Sequence, residues 1–394
     1  MTTTDPTLAE VAAQIDVKPA TLRRWVRDEI VPLRDGRWSP AAVAHARIVA
    51  RLRGRGYSLK TLREASKTGR LAFGYMEDMF PRAEGAYTLA EVAAETGLEE
   101  AMIERVWSAM GISQAELDTI SEDDLQLLRY IAAVVDAGLP TVAFLQLVRV
   151  YGQSLRAMAD AEVRLFHLYV HEPLIRDGVP GLQMAEEMEG LARDLLPLSS
   201  PIMDHLHQRF LAHFVEQDVV GHIEVDDDDE IGLGRMRVAI AFADLSGYTR
   251  LTEEAGEEQA LDTVERFIEN VEVTLPDEAR VVKTIGDAVM IVSSDIAALT
   301  EWAVGFQELQ SERPLPRIGI HSGSVLYRDG DYFGRAVNLA SRVGARAAGS
   351  EVLVTRDVVE ARSPHLAFQR IGEVRLKGFS EATELYLARP KEPA

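Results

Sequence analysis

Apolar positions along this chain change their period part-way. Up to about residue 222 they recur every three or four residues, the spacing of helices. From Val238 onward they alternate or run in short β-branched blocks separated by turn residues, the spacing of strands. The helical half repeats itself. TLAEVAA occurs at 7–13 and again at 88–94, and at the same offset Leu22 matches Ile103, Arg24 matches Arg105 and Val31 matches Ile112; one residue further on, Gly56 meets Gly138. Seven identical residues followed by matched apolar positions predict a tandem duplication of one small unit that starts helix, tight turn, helix. Over 155–222 the spacing of Leu165, Leu168, Tyr169, Met184, Met188, Leu191 and Leu195 predicts dimer-forming helices. The nearly uncharged stretch 130–148 is interrupted by Asp136, Gly138 and Pro140, so a buried helical hairpin is expected rather than a membrane span.

The second half reads as a strand from Val238, a helix over about 256–274 and a strand hairpin over 280–293. A helix over 295–310, a strand over 316–327 and a helix over 335–346 follow, then strands near 351–355, 370–376 and 384–388. Such alternation predicts an α/β architecture of helices packed on a mixed sheet. The run EVDDDDEIGLG (224–234) is expected to be a solvated linker, because consecutive acids repel and cannot enter a core. Four segments are expected: 1–80 and 81–155 for the two copies, 156–234 for helices and linker, and 235–390 for the strand-rich domain.

Composition adds limits. The 394 residues, 47% of them hydrophobic, suffice for several globular domains. With no cysteine, disulfide and thiol chemistry are excluded. The start, MTTTDPTLAEV, lacks the basic and apolar regions of a signal peptide, so a cytoplasmic protein is expected. Net charge is −21, yet residues 18–70 hold 14 Lys and Arg against 4 Asp and Glu. That basic block suits nucleic acid or docking on the acidic remainder of the chain. Within it, PTLAEVAAQIDVKPATLRRWVRDEIVPLRDGRWSP resembles the winged helix-turn-helix of MerR-type regulators, with 34–36 as the wing turn. The resemblance implies that the second helix presents Arg23, Arg24 and Arg27 to a DNA major groove. In the second copy Glu99, Glu104 and Ser108 replace Lys18, Arg23 and Arg27, which leaves the first copy as the DNA candidate. A basic module for protein contacts is the other reading. Six of the nine histidines (167, 171, 205, 207, 213 and 222) fall close together, either as an acidity sensor beside a dimer seam or as ordinary helix-face residues. Around 130–150 the scarcity of charge suits either core packing or a pocket for an apolar small-molecule regulator.

The chemistry concentrates in three segments. AFADLSGYT (241–249) and VVKTIGDAVMIV (281–292) each carry one aspartate where an apolar run meets a glycine-containing break, which predicts a strand end or hairpin tip. Two such carboxylates converging on divalent cations suit phosphoryl or nucleotidyl transfer. The third, GDYFGRAVNLASRVGARA (330–347), leads through a turn into a helix with Asn338 and Arg342 four apart on one face. In this order and spacing the three segments resemble the catalytic domain of class III nucleotidyl cyclases, over roughly 235–390.

That resemblance implies an α+β ferredoxin-like core whose active sites form across a dimer interface. Asp244 and Asp287 of one protomer would hold two Mg²⁺ or Mn²⁺ ions per active site, and Lys283 and Asp331 of the other would read the purine. Asn338 would orient the ribose and Arg342 would contact the α-phosphate. Lys377 would bind the triphosphate, although Phe379 stands where mammalian relatives have a second basic residue. Backbone amides of Leu245, Ser246, Gly247, Tyr248 and Thr249 would cradle phosphates at a helix start. A lysine donor beside a carboxylate acceptor matches the N1 acceptor and N6 donor of adenine, so ATP is the expected substrate. The expectation is a homodimeric adenylate cyclase that makes 3′,5′-cyclic AMP and pyrophosphate, with a regulatory amino-terminal half like that of soluble actinobacterial cyclases. Its rival is a DNA-binding transcription regulator that uses a cyclase-like domain as a nucleotide sensor. No Gly-Gly-acidic-Glu-Phe hairpin of a diguanylate cyclase is present.

Overall fold

Thr7 and Thr88, one in each copy of the repeat, both close a capping box: the hydroxyl accepts from the backbone of the glutamate three residues on, whose carboxylate returns to the threonine amide. Each box satisfies helix-start donors that would otherwise lack partners, worth about 1 kcal/mol. The duplication therefore extends to how the helices begin. In this computed structural model the described residues are 6–74, 85–114, 117, 119–224, 235–310, 313–361 and 363–391. They fall into two units, Met1–Arg209 and Phe210–Ala394.

In the first unit, α1 (Leu8–Gln14), α2 (Pro19–Arg27), α3 (Pro40–Gly54) and α4 (Leu59–Lys67) are followed by α5 (Leu89–Thr96), α6 (Glu100–Met110), α7 (Glu122–Asp136) and α8 (Thr141–Phe166). The second four repeat the first. A π-helical turn (His167–His171), α9 (Glu172–Arg176) and α10 (Gly181–Glu224) complete the helical part. The expected boundary between the two copies at 80/81 and residues 225–234 of the acidic run lie outside the described residues. In the first copy, Arg34 and Arg37 form an isolated bridge, and Arg34 donates to Glu186 at 3.1 Å. In the second copy Ile120 forms a bridge with Tyr87, and most of the segment equivalent to 34–37 lies outside the described residues.

Two expectations need correction here. Met184 and Met188 do not lie on a dimer-facing stripe: both are fully buried in the core of the first copy, with Leu22, Trp25 and Leu62. Helical spacing marks an apolar stripe without saying what covers it. Leu165, Leu168, Tyr169, Leu191 and Leu195 are exposed. The 130–148 segment is a helical hairpin, but only part of it is core: Phe144, Leu145 and Val148 are buried, whereas Tyr130 and Val142 are each 64% exposed. No helix among the described residues is long and apolar enough to cross a membrane. Of the six histidines, two meet. His171 Nε2 donates to the Gly69 carbonyl at 3.2 Å while its Nδ1 lies 3.1 Å from His167 Nδ1, and burial lowers the His171 pKa. His205, His207 and His213 lie along α10, and the side chain of His222 is outside the described set.

The second unit is built on one sheet in the order β2–β3–β1–β4–β6–β8–β7, with short β5 on β4. Its elements are β1 (Arg235–Leu245), α11 (Tyr248–Ala255), α12 (Glu257–Thr274), β2 (Ala279–Ile285), β3 (Ala288–Ser293), α13 (Ile296–Leu309), β4 (Pro316–Arg328), β5 (Asp331–Phe333), α14 (Arg335–Arg346), β6 (Val352–Thr355), α15 (Arg356–Glu360), β7 (Leu366–Arg375) and β8 (Ala382–Pro390). Among the described residues only β4 and β6 pair in parallel. The expected mixed sheet with helices is present, with α11 and α15 added and β7 starting earlier than foreseen.

Strand alternation divides the two faces. Ala239, Ala241, Ala243 and Leu245 of β1 pack with Val264, Phe267 and Val271 of α12 and Leu299, Ala303 and Phe306 of α13. Val238 and Ile240 face the other way, onto Ala336 and Ala340 of α14. Asp244 has the same parity as Val238 and Ile240, so it belongs to the α14 face. What seats α14 is a glycine pair: a Cβ on Gly319 of β4 would stand 2.0 Å from the backbone nitrogen of Gly344. Strand and helix backbones therefore approach more closely than any side chain permits. Gly319→Ala is expected to destabilise the protein by about 1–3 kcal/mol, as overpacking of a core does. Urea unfolding followed by circular dichroism reads this, and an unchanged midpoint would show that α14 is seated by something else.

Candidate active site

β1 lies between β3 and β4, and this shared strand assembles an acidic centre at its end. Asp244 pairs in register with Ala288 of β3 on one side and with Arg317 of β4 on the other. Gly286 and Asp287 form the two-residue turn between β2 and β3, with Gly286 at φ 64°, the left-handed conformation that primed hairpin turns require. Asp287 is thus at a hairpin tip, beside the strand end that holds Asp244. Burial, then the hydrogen bond and negative charge of Asp244, raise the Asp287 pKa to about 6. Arg317 Nε donates to Asp244 Oδ2 at 2.9 Å, and the Arg317 terminal nitrogen binds the same oxygen. Sequence reading passed over Arg317. Only the antiparallel register, in which 317 falls opposite 244, reveals it.

Two facing carboxylates, one of which burial and its neighbour both push toward holding a proton, are a site short of positive charge. Their hard oxygen donors suit Mg²⁺ or Mn²⁺, which are typically held by one or two carboxylates with water and substrate phosphates completing the shell. Among the described residues no group of three or more His, Cys, Asp or Glu forms a cation site. The donor set therefore fits a cation whose coordination a phosphate substrate completes.

A second pair forms on the same sheet. Lys283 Nζ donates to Asp331 Oδ2, and the Tyr332 amide donates to Asp331 Oδ1 at 2.8 Å. Lys283 reaches this position because β2 carries a bulge between Val281 and Lys283. A bulge reverses the alternation beyond it, so Lys283 faces the same side as Arg280. The guanidinium of Arg280 lies 5.7 Å from the Tyr332 ring and donates to its hydroxyl.

The third group lies on α14 and the β7–β8 turn. Asn338 and Arg342 are on the exposed face of α14, opposite the buried Leu339, Ala340 and Val343. Lys377 is exposed in a turn closed by the Phe379 amide donating to the Leu376 carbonyl at 3.1 Å. Phe379 has a partner of its own, since the guanidinium of Arg335 lies 5.2 Å from its ring. A cation thus sits beside the position where the expected basic residue is missing. In the loop after Asp244, the Ser246 amide donates to the Leu315 carbonyl at 2.9 Å. It is therefore not free for phosphate, a correction to the expected cradle. Leu245 lies in the β1–β4 ladder, and Gly247, Tyr248 and Thr249 remain at the start of α11. Among the described residues, no hydrogen bond or ion pair links the Asp244–Asp287 centre to the Lys283–Asp331 pair.

Comparison with known proteins agrees with this geometry. Residues 234–389 match the adenylate and guanylate cyclase catalytic domain, and residues 26–215 match the adenylate cyclase regulatory domain. An adenylate cyclase of Streptomyces coelicolor is 32% identical over 71% of this chain and 72% of its own length. The chain belongs to the class III adenylate cyclase family. A pH-sensitive adenylate cyclase of Mycobacterium tuberculosis is 29% identical over 78% of this chain and 79% of its own. Among solved structures, the adenylyl cyclase CyaB of P. aeruginosa aligns with 40% of this chain and 96% of its own, at 22% identity and a TM-score of 0.37. Divalent-metal dependence is general to this cyclase family.

The acidic centre has a measurable signature in the metal-free cyclase. Asp287 ordinarily titrates at 3.8 and here at about 6, so the folded state binds its proton more tightly than the unfolded state. Stability therefore falls as pH rises through that window and stays low above it. Asp287→Asn removes the effect. Without metal, this variant should match wild type near pH 4 and exceed it at neutral pH, by on the order of 1 kcal/mol after solvent screening. Thermal unfolding at both pH values in chelator tests this; an equal or lower midpoint for the variant at neutral pH would contradict the raised pKa of Asp287.

Proposed function

We propose that this protein converts ATP to 3′,5′-cyclic AMP and pyrophosphate at sites shared between two copies of the chain. The observation that carries the reading is that one chain holds both the acidic pair, Asp244 with Asp287, and the Lys283–Asp331 pair, without joining them. Lys283 supplies a donor and Asp331 an acceptor, the pattern adenine's N1 and N6 require, whereas guanine requires the opposite order. Before substrate arrives the two side chains satisfy each other, which keeps both charged groups in position. Asn338 and Arg342 project from one face of α14, Asn338 toward the ribose and Arg342 toward the α-phosphate. Arg342 opposes negative charge that grows there as the 3′-hydroxyl attacks in line and pyrophosphate leaves. Lys377 and the amides of Gly247, Tyr248 and Thr249 bind the outgoing phosphates.

Asp244 and Asp287 would hold the divalent cations, which when bound activate the attacking oxygen and neutralise the leaving group. Arg317 keeps the Asp244 carboxylate aimed. Because every role is present in a single sequence, a homodimer has two equivalent sites and needs no specialised partner.

The amino-terminal unit is read as regulatory. Its exposed leucines, Leu191 and Leu195 among them, suit pairing with a second copy, and the His167–His171 pair suits sensing of acidity. The rival, a DNA-binding regulator with a nucleotide-sensing cyclase fold, is not favoured, since the chain retains residues for every step of catalysis.

Purified protein with ATP and Mn²⁺ should release cyclic AMP and pyrophosphate, and each of Asp244→Ala and Asn338→Ala should lower kcat at least about a hundredfold. Mixed together, the two inactive variants should regain up to about a quarter of wild-type activity, because half the dimers are mixed and each has one intact site. A mixture as inactive as its parents would rule out shared sites.

A further inference from the structure

Asp331 is held by a three-residue strand, and what anchors that strand is the aromatic ring next to it. Tyr332 is 3% exposed, and its hydroxyl accepts from Arg280. The Arg280 guanidinium is gripped on two sides: it lies 5.7 Å from the Tyr332 ring and 5.5 Å from the ring of Phe214. Phe214 belongs to the part of α10 that lies in the cyclase unit. Three residues on, on the same helical face, the side-chain amide of Gln217 donates to the Asp277 carbonyl at the approach to β2. The helix thus holds β2 at two points, and one of them is a guanidinium between two rings.

The bulge in β2 gives this arrangement its direction. With strict alternation Arg280 and Lys283 would face opposite sides of the sheet; with the bulge both face Tyr332 and Asp331. Contacts then run without a gap from Phe214 to Arg280, from Arg280 to Tyr332, from the Tyr332 amide to Asp331 Oδ1, and from Asp331 Oδ2 to Lys283. Arg280 touches neither base-reading residue through its own charge. It acts on the orientation of the Asp331 carboxylate through Tyr332.

We infer that Arg280, clamped between Phe214 and Tyr332, is a positioning residue for purine recognition, and that it links the helix at the start of the cyclase unit to the Lys283–Asp331 pair. The inference rests on the reading of that pair as the adenine reader. A shift of this helix is then felt as a change in nucleotide affinity and discrimination more than in the rate of bond making, because the acidic centre and Arg342 are not part of the chain of contacts.

Phe214→Ala in the full-length protein is the informative variant, since the contacts from Phe214 reach Asp331 only through Arg280 and Tyr332. It should raise KM for ATP about fivefold and lower the ATP-over-GTP ratio of kcat/KM by a similar factor, with kcat within about twofold. Arg280→Gln should do the same, Arg280→Lys should restore most of the loss by keeping a cation between the rings, and the double variant Phe214→Ala/Arg280→Gln should be no worse than Arg280→Gln alone. An active wild type with Phe214→Ala unchanged in KM and discrimination, or a double variant whose losses multiply, would overturn the role of Arg280 and leave the cyclase reading intact. Equilibrium binding of 3′-deoxy-ATP and 3′-deoxy-GTP separates the two failures. A wild type that cyclises nothing, with Phe214→Ala still changing the ratio of the two affinities, would remove the cyclase reading and retain the positioning role.

Discussion

Two carboxylates facing each other at one end of a sheet are a standing cost, and much of the cyclase unit is arranged to bear it. Asp244 cannot move away from Asp287, because β1 is laddered on both edges and the hairpin that carries Asp287 is a two-residue turn with no slack. Arg317 offsets part of the repulsion from the neighbouring strand. Burial, and after it the hydrogen bond and negative charge of Asp244, leave Asp287 with a raised pKa. Two hard carboxylate donors held together in this way would suit a divalent cation on the proposed reading of the site.

The same sheet solves a second problem, which is to aim groups from non-adjacent strands at one face. Alternation sends Asp244 and Arg317 to the side of α14 at no cost, since 244 and 317 share a register pair. Lys283 has the wrong parity relative to Arg280, and the bulge corrects it. The helix that presents Asn338 and Arg342 is lowered onto β4 through the Gly319–Gly344 contact. Three unrelated devices, a register, a bulge and a glycine pair, thus direct polar groups to one surface.

Much of this could be read along the chain. The change of period at Val238, the hairpin around Gly286 and the helix carrying Asn338 are local signals, and each element is present in the structure. The duplicated capping boxes are equally local, because a box is complete within four residues. Arg317, Arg280 and Arg335 were missed for one shared reason. Each acquires its meaning from a residue distant in sequence, Asp244, Tyr332 and Phe379 respectively, and strand register and ring stacking leave no mark in a window of ten residues. Met184 and Met188 show the converse, where a correct period led to the wrong neighbour: the stripe was real, and its partner was the core of the first copy.

Lys283 and Asp287 are four residues apart on one hairpin, yet the proposed reaction gives them opposite ends of the nucleotide. Lys283 is already neutralised by Asp331, and Asp287 faces Asp244, so the two side chains do not seek each other within the chain. If they served the same nucleotide, the base and the triphosphate would both have to crowd the tip of one hairpin. Those parts of ATP lie at opposite ends of the molecule, with the ribose between them. On the proposed shared-site reading, a hairpin lying across a two-fold axis would remove the conflict, because the Lys283 of one copy would face the nucleotide whose phosphates meet the Asp287 of the other. Symmetry of that kind would turn a four-residue separation along the chain into the span of a nucleotide.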